Sequence, residues 1–221
     1  MSGRRAPDQP AYVLHARPFR ESHWLLELLT PDHGRFTAVG RTSRPALFCP
    51  CLVRTHGNSE LKQLSDWRYQ GAVPVHYGAA LVQGLYINEL CVRLVPRFQV
   101  DEGFFGVYAS TLLLLAKPNQ QAPALRYFER RLLEATGFGL DYRQTMDTGD
   151  WVAPEGNYRF DPARGFCQGT RADQLPGHLI LAIADNDWHQ PGALAVAKTI
   201  NAGRIQHVLE GRSWHSKNWV C

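Results

Sequence analysis

The chain has 221 residues, of which 44% are hydrophobic and 20% charged, an ordinary composition for a folded globular protein. No run of about 18 apolar residues predicts a membrane-spanning helix. The N-terminal MSGRRAPDQPAY lacks the apolar core of a secretory signal. Five cysteines at irregular spacings favour reduced thiols over a disulfide framework, so we expect a cytoplasmic protein.

The formal net charge of +4 is placed unevenly along the chain. Residues 1–70 contain ten Lys or Arg against six acidic residues, whereas the remaining chain has 14 of each. A chain whose first third is basic and whose remainder is neutral suits a polyanionic partner such as nucleic acid. A solvated basic face without a partner is the alternative that the charge count leaves open.

Five short strands are predicted in the first 75 residues, because β-forming residues alternate partially between segments with turn chemistry. The predicted strands span 11–19, 23–30, 34–41, 46–57 and 61–71. Strands at this spacing without helices between them indicate a small closed barrel. A basic barrel of the OB type is a frequent binder of single-stranded nucleic acid.

Helical periodicity replaces strand alternation after residue 75. Predicted helices span 73–96, 101–117, 123–137, 179–185 and 191–211, and a small hairpin or irregular insertion is expected at 151–168. The predicted fold class is therefore α+β. An OB-type barrel domain at 1–75 precedes a mainly helical domain at 76–221, with the β insertion inside it.

The first predicted helix contains two polar residues, Asn88 and Glu89, within an otherwise apolar stretch. Either they lie on the solvent face, or they form a partly buried pair that bonds to the barrel and fixes the domain interface. Spacing leaves both interpretations open.

No motif for catalysis, a cofactor or a metal is found. The chain has neither a Walker pattern nor a GxGxxG loop. Cys49 and Cys51 form a C-P-C without a second cysteine pair, so buried free thiols are favoured over a zinc site. Asp141, Asp147, Asp150 and Asp185 have no recognised metal-binding spacing. We expect a protein that is not an enzyme and has no cofactor or metal.

Basic residues recur along the predicted barrel strands and turns. The candidate DNA-binding residues are Arg17, Arg35, Arg41, Arg44, Arg54 and Lys62. Aromatic residues lie among them, namely Phe19, Trp24, Phe36, Trp67 and Tyr69. Cations that follow a phosphate backbone and rings that stack on bases suit single-strand binding. Many of these rings must fill the barrel core, so we expect one or two to be exposed.

Several stretches occur in the order found in a known family. They are YVLHARPFRES, LLELLT, HGR, NSELKQL, GLYINEL, ALRYFERRLLEATGFGLDY and, near the end, LEGRSWHSKNW. With these motifs the chain resembles RecO, a family of bacterial recombination mediators in DNA repair. The resemblance covers about residues 11–218 and is most specific at GLYINEL and LRYFERRLLEATGFG.

The resemblance implies an OB fold on a helical domain and a protein that is not an enzyme. Family members bind single- and double-stranded DNA, anneal complementary strands, bind RecR and help to load RecA onto DNA coated by single-stranded-DNA-binding protein (SSB). They engage SSB through its acidic C-terminal tail, which ends in an aromatic residue. The alternative function is a protein-interaction adaptor, recruited by that tail, with little direct DNA affinity.

The helix predicted at 123–137 is the candidate site for the SSB tail. The proposed side chains are Leu125, Phe128 and Leu132 as an apolar stripe, with Arg126 and Arg130 along its edge. Arg126 falls on a basic position of the family motif. The alternative is that Arg126 pairs with Glu129, and Arg130 with Glu134, along a solvated helix.

Two departures from the family pattern stand out. Between GRFTAVGR and LKQL the family commonly has a longer loop rich in Lys and Arg, whereas this chain has RTSRPALFC. Fewer phosphate contacts should make the salt dependence of DNA binding shallower, by roughly 0.7 in the log–log slope per lost contact. Some relatives also carry a cysteine-ligated zinc, which the missing CxxC pairs argue against here.

Overall fold

The computed structural model describes residues 7–41, 45–71, 78–170 and 175–210. Contacts within the chain divide it into two compact units. They are here called the barrel unit, whose described residues end at Pro118, and the helical unit, which begins at Asn119. This division groups the first two helices with the barrel. The domain boundary expected at residue 75 stays a prediction.

Five strands form the barrel of the barrel unit. They are β1 (Gln9–Phe19), β2 (His23–Thr30), β3 (Gly34–Arg41), β4 (Cys51–His56) and β5 (Leu61–Tyr69). The sheet closes in the order β1-β2-β3-β5-β4, with β4 paired back to β1. Strands β3 and β5 are parallel and the other pairs antiparallel. The five-stranded OB-type barrel predicted from the sequence is confirmed.

Alternation along the strands builds the barrel core. In β2, Leu26 and Leu28 are fully buried, while Glu27 between them lies on the outer face. A register shift between Val13 and His15 in β1 marks a bulge, beyond which Ala16 packs against the core. The core cluster consists of Ala11, Val13, Leu26, Leu28, Phe36, Ala38, Cys51 and Val53.

Two helices complete the barrel unit, α1 (Ala79–Leu94) and α2 (Phe104–Leu115). Helix α1 packs against β1 and α2. Asn88 is buried and bonds to the barrel, which confirms the buried interpretation for this residue. Glu89 instead pairs with Arg93 one turn later in the same helix, at 2.9 Å.

The helical unit contains three helices and a small sheet. The helices are α3 (Gln121–Ala135), α4 (Gly177–Ala184) and α5 (Ala193–Val208), and a 3-10 turn, Pro118–Gln120, precedes α3. Strands β6 (Asn157–Asp161), β7 (Gly165–Gln168) and β8 (Leu175–Pro176) form a sheet in the order β7-β6-β8. The hairpin expected near 151–168 is therefore present as β6 and β7.

Helix α3 ends as its sequence indicates. Gly137 has a φ of 81°, and its N–H donates to the carbonyl of Glu134 at 3.0 Å. The N–H of Phe138 donates to the carbonyl of Leu133 at 2.7 Å. These two bonds form a Schellman motif, which needs a left-handed residue and so favours glycine.

Candidate nucleic-acid and peptide interfaces

Three exposed cations of the barrel lie at the end that carries the β1–β2 turn. Arg17 and Arg41 are both exposed, on strands β1 and β3, whose backbones lie about 10 Å apart because β2 runs between them. Arg41 donates to the hydroxyl of Ser22 from Nη2 at 3.2 Å. Arg20, in the turn, is exposed and lies 5.2 Å from the ring of Phe19. We call Arg17, Arg20 and Arg41 the arginine end of the barrel.

Two other predicted DNA contacts are engaged within the chain. Arg35 bonds to Glu27 at 2.7 Å and to the carbonyl of Val95 at 2.7 Å, which ties β3 to the end of α1. Arg54 lies 2.5 Å from a carboxylate oxygen of Asp8. A carboxylate at this distance offsets the attraction of the guanidinium for a phosphate.

The remaining two predicted DNA contacts differ in accessibility. Lys62 is half-buried, donates from Nζ to the carbonyl of Gly57 at 3.0 Å and lies 5.3 Å from the ring of Phe98. Arg44 lies outside the described residues. A DNA-binding role for the six predicted residues stays a prediction.

The aromatic residues of the barrel divide between core and surface. Phe36 is fully buried, and Trp24 and Trp67 are half-buried against the core. Tyr69 is 42% exposed, and its hydroxyl accepts a hydrogen bond from the N–H of Ala46 at 2.8 Å. Phe19 is half-buried beside Arg20. Tyr69 is thus the exposed ring of the five.

The apolar stripe of α3 is buried. Leu125, Phe128 and Leu132 are each at most 2% exposed, and α3 packs against α5. Their helical spacing marks the buried side of the helix. Because the three side chains are buried, they do not line an open groove. A contact between them and an SSB tail stays a prediction.

Arg126 and Glu129 form a buried ion pair. Nη2 of Arg126 lies 3.1 Å from Oε1 of Glu129, and the two side chains are 7% and 2% exposed. Asn201 of α5 donates to Oε2 of Glu129 at 3.0 Å and to the carbonyl of Arg126 at 3.1 Å. The alternative drawn from the sequence is an Arg126–Glu129 pair on a solvated face of the helix. The pair is present, but it is buried because Asn201 of α5 lies against it.

Arg130 caps a different helix. Its Nη1 donates to the carbonyls of Ile183 and Ala184, the last two residues of α4. A cation is favourable at this position because the carbonyls of a helix C-terminus carry partial negative charge. The guanidinium also lies 5.8 Å from the ring of Tyr142. Burial raises the pKa of the Tyr142 hydroxyl, and the positive charge of Arg130 partly opposes that rise.

Sequence reasoning missed this capping role of Arg130. The carbonyls that it binds lie more than 50 residues later in the chain. No local pattern connects an arginine in one helix to the end of another. Arg130 lies 3.4 Å from Glu134, so the second pairing weighed from the sequence is also present.

The cysteines that the structure describes are reduced and buried: Cys49, Cys51, Cys91 and Cys167. The thiol of Cys51 donates to the carbonyl of Ala11 at 3.1 Å, and burial raises its pKa to about 12. Within the described ranges, no group of three or more His, Cys, Asp or Glu could hold a metal ion. No helix in this part of the chain is long and apolar enough to cross a membrane.

A closed OB-type barrel with an arginine end belongs to a class of folds that often bind nucleic acid. Residues 77–182 match the family model described as "Recombination protein O C terminal". The chain is 38% identical to DNA repair protein RecO of Stutzerimonas stutzeri, covering 94% of this chain and 90% of that protein. It is 35% identical to the RecO of Marinobacter nauticus, covering 95% and 92%, and 36% identical to that of Pseudomonas aeruginosa, covering 94% and 91%. The chain belongs to the RecO family, as its motifs indicated.

Proposed function

We propose that this protein is a non-enzymatic mediator of recombinational DNA repair. It binds single-stranded and SSB-coated DNA, anneals complementary strands and, with RecR, assists the loading of RecA. The observation that best supports this proposal is the arginine end of the barrel. Arg17, Arg20 and Arg41 present positive charge to solvent on a fold that suits single-strand binding.

Annealing requires weak, mobile contacts. Phosphate contacts by arginine attract both strands irrespective of sequence, because the phosphate backbone is the same everywhere. Such contacts bring two negatively charged strands together without occupying the base edges that must pair. A few exposed cations, rather than a deep cationic channel, suit this task.

A second candidate is a protein-interaction adaptor that is recruited by the SSB tail and has little direct DNA affinity. It is favoured by the pairing of Arg35 with Glu27 and of Arg54 with Asp8, which reduces the charge available to phosphates. In this case the SSB tail would have to reach the candidate site on α3, where Arg126 is 6% exposed. Its carboxylate ligands would have to compete with Glu129 for the guanidinium.

Strand annealing separates the two candidates. Two complementary oligonucleotides, one with a fluorophore and one with a quencher, are mixed with and without the protein and without any nucleotide cofactor. We expect the protein to accelerate annealing of naked strands, and the acceleration to decrease as salt is added. Loss of the effect on replacing Arg17 and Arg41 by alanine would place it on the arginine end.

Other outcomes select the adaptor or reject both. Acceleration only when the strands are coated with SSB supports the adaptor. No acceleration of either naked or coated strands contradicts the mediator proposal. Consumption of the oligonucleotide in the presence of a divalent metal would contradict the non-enzymatic assignment.

A further inference from the structure

We propose that a cavity beside Trp24 holds one unstacked base of single-stranded DNA. This inference rests on the proposed DNA binding and extends it from phosphate contacts to a base-binding site. The cavity has a volume of about 440 Å³. This is within the range of about 300–1,000 Å³ that is typical of small-ligand sites. The described residues that line it are His15, Ala16, Pro18, Trp24, Pro45 and Leu47.

The cavity lies beside the part of β1 that follows its pairing with β4. Strand β4 pairs with β1 only at Gln9–Ala11, so no described strand covers that side of β1 farther along. On its other side, Pro18 stands opposite Trp24 in the β1–β2 register. The half-buried Trp24 therefore has one part against the barrel core and another toward the cavity.

The lining suits a flat aromatic ligand. An indole ring and two prolines offer apolar faces against which a base can stack, and base–aromatic stacking tolerates any base. Among the described residues that line the cavity, His15 is the one with an ionisable side chain, and it is exposed. The described lining thus favours the ring of a nucleotide.

Positive charge for the phosphates lies at the same end of the barrel as the cavity. Arg17 is exposed in β1, and strand alternation turns its side chain to the opposite face from its lining neighbours Ala16 and Pro18. Arg41, which is paired in register with His23, is also exposed. None of the described lining residues is acidic. An apolar cavity at the end of the barrel that carries arginines is complementary to a polyanion with aromatic bases, and this combination favours single-stranded DNA over an apolar peptide.

The test compares a thymidine oligonucleotide with an abasic oligonucleotide of the same length, which keeps the phosphates and lacks the bases. Trp24→Leu removes the aromatic face but retains apolar packing, whereas Trp24→Phe retains a ring. Trp151→Leu is the matched control, because Trp151 is 69% exposed in the helical unit. Affinity is measured by fluorescence anisotropy, and thermal unfolding confirms that each variant is folded.

We expect the unmodified protein to prefer the oligonucleotide that has bases. Trp24→Leu should lose about 5- to 150-fold in affinity for it, the equivalent of one stacked base, and should bind the abasic strand as before. Trp24→Phe should keep most of the preference, and Trp151→Leu all of it. The salt dependence should be the same in all four proteins, because no cation is changed.

Three results would overturn the inference in distinguishable ways. In the first, the unmodified protein binds both strands, and folded Trp24→Leu binds each strand with the same affinity as the unmodified protein. In that case the DNA binding stands but the base site does not exist. If the unmodified protein binds neither strand at low salt, the base site and the proposed DNA binding are both wrong. An equal loss on both strands would show that Trp24 supports the phosphate contacts through the fold rather than a base.

Discussion

The side-chain amide of Asn88 donates a hydrogen bond to the backbone carbonyl of Leu14, 74 positions earlier in the chain, at 2.9 Å. Its Oδ1 accepts a bond from the hydroxyl of Tyr108 at 2.6 Å. Asn88 thereby connects α1 to the barrel strand β1 and to α2. It is only 3% exposed, so both bonds are shielded from water.

Replacing Asn88 by alanine should destabilise the barrel unit. The change leaves the Leu14 carbonyl and the Tyr108 hydroxyl without this partner in a buried site, at a cost of about 1–3 kcal/mol for each buried group that stays unpaired. Urea unfolding measures the loss. Asn119→Ala, at an exposed position, should change the free energy of unfolding by less than about 0.5 kcal/mol. Equal effects of the two replacements would show that the buried bonds do not stabilise the fold.

Replacing Arg130 by methionine should destabilise the helical unit by about 1–3 kcal/mol. Methionine keeps the apolar stem but leaves the carbonyls of Ile183 and Ala184 without their cation. Arg131→Met is the control, since Arg131 pairs with Glu134 near the surface. The free energies of unfolding in urea are compared. Similar values for Arg130→Met and Arg131→Met would contradict the capping role.

A double replacement tests Arg126 as a ligand for the SSB tail. Arg126→Glu alone would place a carboxylate beside buried Glu129, and breaking such a pair costs about 3–5 kcal/mol. Arg126→Met with Glu129→Gln instead removes both charges together and should preserve the fold. We expect weaker binding of an acidic tail peptide that ends in phenylalanine, with binding of naked single strands unchanged.

Arg131→Met again serves as the control for the tail peptide, because it lies on the same helix and is more exposed than Arg126. Peptide binding is measured by isothermal titration at two salt concentrations. If the double variant is folded and binds the peptide as the unmodified protein does, the tail does not contact Arg126.

The salt dependence of DNA binding should become weaker when an arginine of the arginine end is replaced. Arg17→Ala and Arg41→Ala should each reduce the slope of log K against log salt by up to about 0.7, the value for one phosphate contact on a single strand. Arg54→Ala should reduce it less, because Asp8 already offsets that charge. Arg159→Ala, at an exposed position of the helical unit, controls for general charge. A uniform change across the four variants would argue against a localised site.

Alkaline pH should destabilise the barrel through its buried thiol. Burial raises the pKa of Cys51 from its ordinary value of 9.0 to about 12, so the folded chain keeps this proton at a pH where the unfolded chain releases it. The contribution to stability is complete below about pH 9 and is lost as pH rises toward 12, with a limiting slope of about 1.4 kcal/mol per pH unit. Cys51→Ala should show a smaller loss across this window in urea unfolding. Parallel curves for the two proteins would contradict the prediction.

Much of the fold is encoded in local sequence. Partial alternation in segments such as HWLLELLT and GRFTAVGR places β2 and β3 at the residues where the structure has them. Gly137 indicates the end of α3 because a left-handed residue is needed there. These features are predictable because strand alternation, helix periodicity and turn geometry depend on neighbours within a few residues.

The state of each arginine, in contrast, was decided by tertiary structure. Arg17 and Arg35 look alike in the sequence, yet Arg17 is exposed while Arg35 is bonded to Glu27. The same holds within α3, where Arg130 is buried against the end of α4 and Arg131 stays near the surface.

The sequence by itself therefore determined the family, the order of the strands and helices, and a basic first third. Only the tertiary structure decided which of these cations are neutralised and which face solvent. The physical reason is that charge is counted along the chain, but an ion pair or a helix cap forms between groups that are distant in sequence. Those distances exist only once the barrel has closed and α3 has packed against α5.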